Sequence, residues 1–151
     1  MKPISAGFII RSAGKYLICH ATQSTSFEMD HVHWTISKGM VNEGETSLNA
    51  AIRELKEETG IDLRNDVSID NLDALIPYKI LPLRKKTIHA YFIDDPSGIL
   101  IEKRLECVSK IDIEGHRLFG YPEMDAYLWT DKDTAQSMVF NSQRSLFDEL
   151  T

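Results

Sequence analysis

The chain has 151 residues, 42% of them hydrophobic and 26% charged, with a formal net charge of −6. That length suits a single domain, residues 1–151, with a real core. The acidic balance argues against a nucleic-acid binder, which needs a broad basic footprint, and no apolar run approaches the length of a membrane span.

Taken in chain order, the N-terminus MKPISAGFII lacks the apolar core and cleavage site of a signal peptide and reads as a first strand. Residues 4–11 and 15–21 form a strand pair around a turn at 12–14. Residues 22–33 are polar and read as a loop, with His31 and His33 flanking a valine and facing solvent. Residues 34–37 make a short strand. A helix at 46–59 follows, then a polar stretch at 60–70. Residues 72–80 read as extended, and 81–86 (LPLRKK) as a basic connector. Residues 87–93 are rich in β-favouring types and make another strand, ended by Asp94-Asp95-Pro96-Ser97-Gly98. Residues 99–121 mix apolar and charged types without a period and yield no assignment. Residues 126–130 give the last strand. Residues 131–138 and 141–150 read as helices, with Asn141 as an N-cap. The two cysteines, Cys19 and Cys107, have no metal-type spacing, so a reduced, cytoplasmic protein is expected.

The segment at 46–59 has a start, a buried face and a stop. Thr46 can cap the first turn with its hydroxyl. Leu48, Ala51, Ile52 and Leu55 recur at helical spacing as one apolar stripe. Gly60 stands where the helix needs a left-handed residue, and Ile61 can fold back onto Leu55. At about 100° per residue, Glu57 and Glu58 fall within roughly 60° of Glu54, so three acids crowd one face. Like charges at this spacing destabilise an isolated helix by a few tenths of a kcal/mol. The bland reading is a solvated face with Arg53 and Lys56 pairing the acids. The sharper one is a cluster of hard oxygen donors for Mg²⁺ or Mn²⁺ and for the phosphates these ions carry. Glu45 is expected to meet Arg53 and pin the preceding loop to the helix. Gly39, in that loop, is expected to let backbone approach closely or turn.

Residues 39–61, GMVNEGETSLNAAIRELKEETGI, set Gly39, Glu45, Arg53, Glu54, Glu57, Glu58 and Gly60 at the spacing of the Nudix hydrolase signature. Seven identities have a chance on the order of 10⁻⁸ per starting position at ordinary residue frequencies. The whole chain resembles that family: Ser5-Ala6-Gly7 opens a strand, Trp34 stands shortly before the box, and Tyr127-Leu128-Trp129 precedes a helix. The resemblance implies an α/β (α+β) fold, an α/β/α sandwich on a central mixed sheet. It implies hydrolysis of a pyrophosphate bond in a nucleoside diphosphate linked to another group. It also implies divalent metal, Mg²⁺ or Mn²⁺, held by Glu54, Glu57 and Glu58, with Gly39, Glu45, Arg53 and Gly60 supporting the site. A general base can come from a loop before the last strand; Glu123 is the first choice, with Asp125 and Glu102 as rivals.

For substrate, Lys38 before Gly39 and Tyr78 seventeen residues past Ile61 resemble the branch that cleaves diadenosine polyphosphates, although that branch has Pro where this chain has Ser37. Lys38 and Lys79 are expected to touch phosphates and Tyr78 to stack on a base. Lys85 and Lys86 read as a solvated turn that could also bind a polyphosphate. Diadenosine tri- or tetraphosphate is the leading expectation. ADP-ribose, FAD or NADH, and nucleoside triphosphates stay open, as does capped RNA through the basic stripe at 84–86. The partner is then a small-molecule nucleotide, with no membrane, and the protein a monomer or homodimer. The competing reading is a domain that senses a nucleotide without cutting it. A degenerate sensor is expected to lose one of the three glutamates, and this chain keeps them all.

Overall fold

The computed structural model describes residues 2–22 and 33–151. The expected loop at 22–33, His31 included, lies largely outside them. β1 (Ile4–Ser12) and β2 (Lys15–Ala21) form a hairpin whose turn residues, Ala13 and Gly14, both have positive φ (49° and 79°). That is the mirror-image turn whose twist matches paired strands. β3 (Trp34–Thr35) and β4 (Ser37–Met40) follow, then α1 (Ser47–Thr59). β5 (Lys79–Pro82), β6 (Thr87–Asp95) and β7 (Met124–Thr130) complete a seven-stranded sheet. α2 (Lys132–Met138) and a 3-10 segment at Asn141–Phe147 come last.

The sheet runs β3-β2-β1-β6-β5, with β4 also on β1 and β7 also on β2. β1 and β6 pair in parallel over their full length and the remaining pairs are antiparallel, so the sheet is mixed, as expected. One edge of β1 is shared. Its first half holds β4, and only Arg11 and Ser12 at its end hold β2. The sheet therefore forks between β2 and β4.

Strand alternation builds a core on each face. Ala6, Phe8, Ile10, Leu17, Cys19, Tyr91 and Ile93 meet Leu48, Ala51, Ile52 and Leu55 of α1. Ile9, Tyr16, Ile18 and Ala90 face Ala135 of α2 and Leu146 and Phe147 beyond it. Two helical layers around one sheet are the expected sandwich. Among the described residues, no helix is long and apolar enough to cross a membrane.

Several sequence expectations need correcting. Residues 72–80 are not one strand: Leu72–Ala74 is a 3-10 turn entered through Asn71 at φ 56°, and only Lys79–Pro82 is extended. Leu72 is buried in the α1 core, which pulls the chain off a straight course. The basic connector is a tight hairpin, closed by the Leu83 amide on the Lys86 carbonyl (2.8 Å), so Leu81 and Pro82 belong to β5. The 34–37 strand is broken at Ile36, whose amide goes to Gln143 Oε1 (3.0 Å). Asn141 does not cap an α-helix. Phe140 holds the cap position, and a 3-10 segment follows because Leu146 and Phe147 must reach the second core. Gly39 lies within β4, opposite Ala6, and not in a loop.

Candidate active site

α1 is held at both ends as its sequence suggests. The Thr46 hydroxyl accepts the Asn49 amide (3.1 Å), and Gly60, at φ 82°, returns its N–H to the Lys56 carbonyl (2.9 Å). With Leu48, Ala51, Ile52 and Leu55 buried, the acidic face turns toward β4. Gly39 lets the Glu54 carboxylate lie against the strand: a Cβ on it would fall 2.1 Å from the carboxyl carbon, so that side-chain end would have to swing aside.

Arg53 is the hub of the charges. Its Nε and Nη2 donate to the two oxygens of Glu45 (2.9 and 3.0 Å), as the sequence predicts. Its Nη1 reaches Glu54 Oε1 (2.9 Å) and Glu57 (3.3 Å), and Nη2 also binds the Met40 carbonyl (3.1 Å). Hydrogen bonding from Arg53 holds the Glu45 carboxyl below the usual range. Lys56 turns away to Asp62.

Glu58 is the buried member of the triad. Its Oε1 accepts the Ser37 hydroxyl (2.8 Å) and the Lys38 amide (3.0 Å). Burial pushes this carboxyl up to about 8; the Ser37 hydroxyl works against that, and nearby Glu54 and Glu123 add to it. Burial also raises Glu54. Ser37, the departure from the branch with Pro, thus supplies a donor that Pro lacks.

At the fork of the sheet, a cleft of about 250 Å³ is lined by Ala21, Thr35, Lys38, Glu58, Glu123, Met124 and Phe140. It brings Glu123 to Glu58 beneath the end of α1. Asp125, the first rival for the base, is paired to His20 Nδ1. Glu102, the second, is exposed in the turn after Asp95 and is not part of the cleft lining. A larger hollow beside residues 63–74 lies away from the glutamates.

Tyr78 and Lys79, expected to touch substrate, do not line the glutamate cleft. Tyr78 packs on Phe92 (ring centroids 5.8 Å apart), and Lys79 Nζ binds the Ser145 carbonyl (2.7 Å). The register Lys38–Gly7–Ala90–Lys79 sets three strand spacings, about 14 Å, between the backbones of Lys38 and Lys79.

Burial, followed by the charge of nearby Lys86, lowers Lys38 to about 8, while Glu58 and Glu54 work against that shift. Among the described residues neither ammonium has a carboxylate within ion-pair distance. Phe140 was also missed. It is half exposed at the cleft and touches the His33 ring (5.3 Å). A lone Phe between helical stretches carries no local signal for this. Lys86 had one, its position in a basic hairpin turn.

The donor set suits a hard divalent cation. It offers three carboxylates on one helix face, Glu54 and Glu58 among them raised by burial, with Glu54 lying against Gly39. Arg53 ties Glu54 and Glu57 together, and among the described residues no ready-made cage of three His, Cys, Asp or Glu ligands stands assembled.

An acidic helix face beside a cleft walled by Lys38, Glu58 and Glu123 has the chemistry a phosphate anhydride hydrolase needs. The NUDIX domain model matches residues 1–138, and the chain belongs to that family. It is a Nudix pyrophosphohydrolase, and Nudix hydrolases generally use divalent metals and small nucleotide substrates. A rat protein, bis(5'-nucleosyl)-tetraphosphatase [asymmetrical], is 28% identical over 118 residues, covering 78% of this chain and 69% of its own. Two solved structures share the fold. The E. coli dihydroneopterin triphosphate pyrophosphohydrolase has a TM-score of 0.65 at 20% identity, with 97% and 93% of the two chains covered. A C. elegans Ap4A hydrolase binary complex has 0.64 at 22%, with 95% and 92% covered.

Proposed function

We propose that residues 1–151 act as a single domain that hydrolyses a nucleotide carrying three or more phosphates in a row, dinucleoside polyphosphates such as diadenosine tri- or tetraphosphate first among them. The observation that carries this reading is the cleft itself, where Lys38 shares the wall with Glu58 and Glu123. The charge of Lys86 acts on Lys38 as well, and an anion beside two like charges relieves their repulsion. A polyphosphate chain supplies that anion, and its length lets it span from the glutamates to the lysine pair. The rat relative's name points to the same class.

Glu54, Glu57 and Glu58 would hold Mg²⁺ or Mn²⁺, which when bound neutralises phosphate oxygens and acidifies water. Arg53 and Glu45 keep these carboxylates on one face. Glu123 takes the proton as water oxygen bonds to phosphorus, and the bridging P–O bond breaks with its electron pair leaving on the departing phosphate. Lys38 and Lys86 offset charge along the chain, and Phe140 offers a ring for the base.

An ADP-ribose-type substrate, with two phosphates, has no use for Lys86. The test is a panel of diadenosine tri- and tetraphosphate, nucleoside triphosphates, ADP-ribose, FAD, NADH and capped RNA, with Mg²⁺ and with Mn²⁺. Preference for the longer phosphate chains supports the reading. Preference for ADP-ribose keeps the chemistry and discards the substrate. Tight nucleotide binding without cleavage makes the domain a sensor.

A further inference from the structure

An α-helix leaves its last four carbonyls without helical partners. In α1 the glycine cap answers only that of Lys56. The others are taken by groups far away in sequence. The Glu57 carbonyl accepts the amides of Val108 (2.8 Å) and Ser109 (3.2 Å), and the Thr59 carbonyl accepts that of Glu106 (3.0 Å). The Glu58 carbonyl accepts the Tyr127 hydroxyl.

The same four residues, 106–109, are tied on their other side to the start of β7. The Ser109 carbonyl accepts the Glu123 amide (3.1 Å), and Cys107 Sγ accepts the Met124 amide (3.4 Å). The Glu123 carbonyl in turn takes the Thr22 amide (3.0 Å). One short stretch without helix or strand thus holds the backbones of Glu57 and Glu58 on one side and of Glu123 on the other.

We propose that residues 106–109 and Tyr127 form a brace that sets the separation of Glu57 and Glu58 from Glu123, with Tyr127 as a positioning residue that touches no substrate. This rests on the reading of those glutamates given above. Glutamate side chains are long and rotate freely, so a site built from them inherits its geometry from the backbone beneath. Loss of the Tyr127 hydroxyl leaves the Glu58 carbonyl unpaired and frees the last turn to fray. Loss of the Cys107 acceptor loosens Glu123 and leaves the helix alone.

The test compares Tyr127→Phe with Tyr16→Phe, which removes a hydroxyl bound to the Thr151 carbonyl in the opposite core. Mn²⁺ affinity is read by paramagnetic resonance of the free ion, beside kcat, KM and melting temperature. Tyr127→Phe is expected to weaken Mn²⁺ binding and lower kcat by about tenfold each, with KM unchanged. Tyr16→Phe is expected to move only the melting temperature. Cys107→Ala is expected to lower kcat at unchanged Mn²⁺ affinity, and Cys107→Ser to restore it. Wild-type Mn²⁺ affinity and kcat in Tyr127→Phe would overturn the brace, as would equal effects of the two tyrosine changes. Should Tyr127→Phe not fold, an unaltered kcat in Cys107→Ala would do the same. A wild-type protein that takes up no Mn²⁺ would overturn the brace together with the reading beneath it.

Discussion

α1 and the segment from 99 to 123 meet at one site and are built in opposite ways. The body of the helix satisfies its backbone within itself up to its last turn, and its caps, stripe and acids are local pattern. The segment has neither helix nor strand, and hydrogen bonds that anchor it run to residues dozens of positions away: Val108 to Glu57, Ile101 to Ser12, Glu106 to Thr59. On the reading proposed above, three carboxylates sit on the first kind of structure, while the second carries Glu123 and braces it against them. Rigid elements carry side chains well but cannot fix distances between elements.

Substitutions sharpen this contrast. The largest effect is expected within the helix. Glu57→Gln should cut kcat by roughly 100-fold with the fold intact, because a neutral amide is a poor ligand for a hard cation. Near-normal turnover with an unchanged metal requirement would sink the assignment. Gly39→Ala drives a methyl into the Glu54 carboxylate. It should displace that carboxylate and impair activity with little loss of stability in denaturant unfolding; full turnover would show that the position of the carboxylate against β4 does not matter.

Outside the helix the effects are smaller and more selective. Lys86→Ala should raise KM about tenfold for a tetraphosphate substrate and leave that for ADP-ribose alone, one lost charge-assisted contact being worth about 1.5 kcal/mol. Equal change for both would return Lys86 to the surface. Asp95→Asn addresses the knot that begins the 99–123 segment. Burial pushes the Asp95 carboxyl up, but the Leu100 amide and the Ser12 and Ser97 hydroxyls outweigh it and hold it below the usual range. A depressed carboxyl stabilises the fold above its unfolded pKa, and that stability fades as pH falls through the folded value. Asp95→Asn should therefore lower neutral-pH stability by about 1 kcal/mol and flatten the acid limb below about pH 4. An unaltered acid limb would assign that slope to other carboxyls. The smallest change has the opposite sign. Tyr78→Phe removes a buried hydroxyl with no partner among the described residues, and should raise stability by up to about 1 kcal/mol at unchanged KM. A raised KM would bring Tyr78 back to the substrate.

What the sequence makes legible follows the same division. The box helix, its capping threonine and glycine, the Glu45–Arg53 pair and the mixed sandwich are all readable from local spacing. Residues 99–121 resist assignment because they form isolated turns, such as His116 on Ile113 and Tyr121 on Leu118, and caps on distant carbonyls, neither of which gives a period. Tyr78 and Lys79 are picked out by counting residues, and counting does not reveal their packing on Phe92 and the Ser145 carbonyl. Ser37 reads as a mismatch in one dimension and becomes a hydrogen-bond donor to Glu58 in three.

The long parallel pairing of β1 with β6 has a kinetic side. Every pair in that ladder joins residues 83 positions apart, from Ile4 with Thr87 to Ser12 with Asp95. Closing a loop of that size costs about 4 kcal/mol of chain entropy before any contact rewards it. α1 has 13 residues, at the margin of what holds a helix alone in water. Its acidic face therefore acquires a fixed orientation only once the chain has closed on itself. Refolding should be slow for the protein's size, and a changed residue in β6, remote from every glutamate, should delay the return of activity more than one on the exposed face of α1.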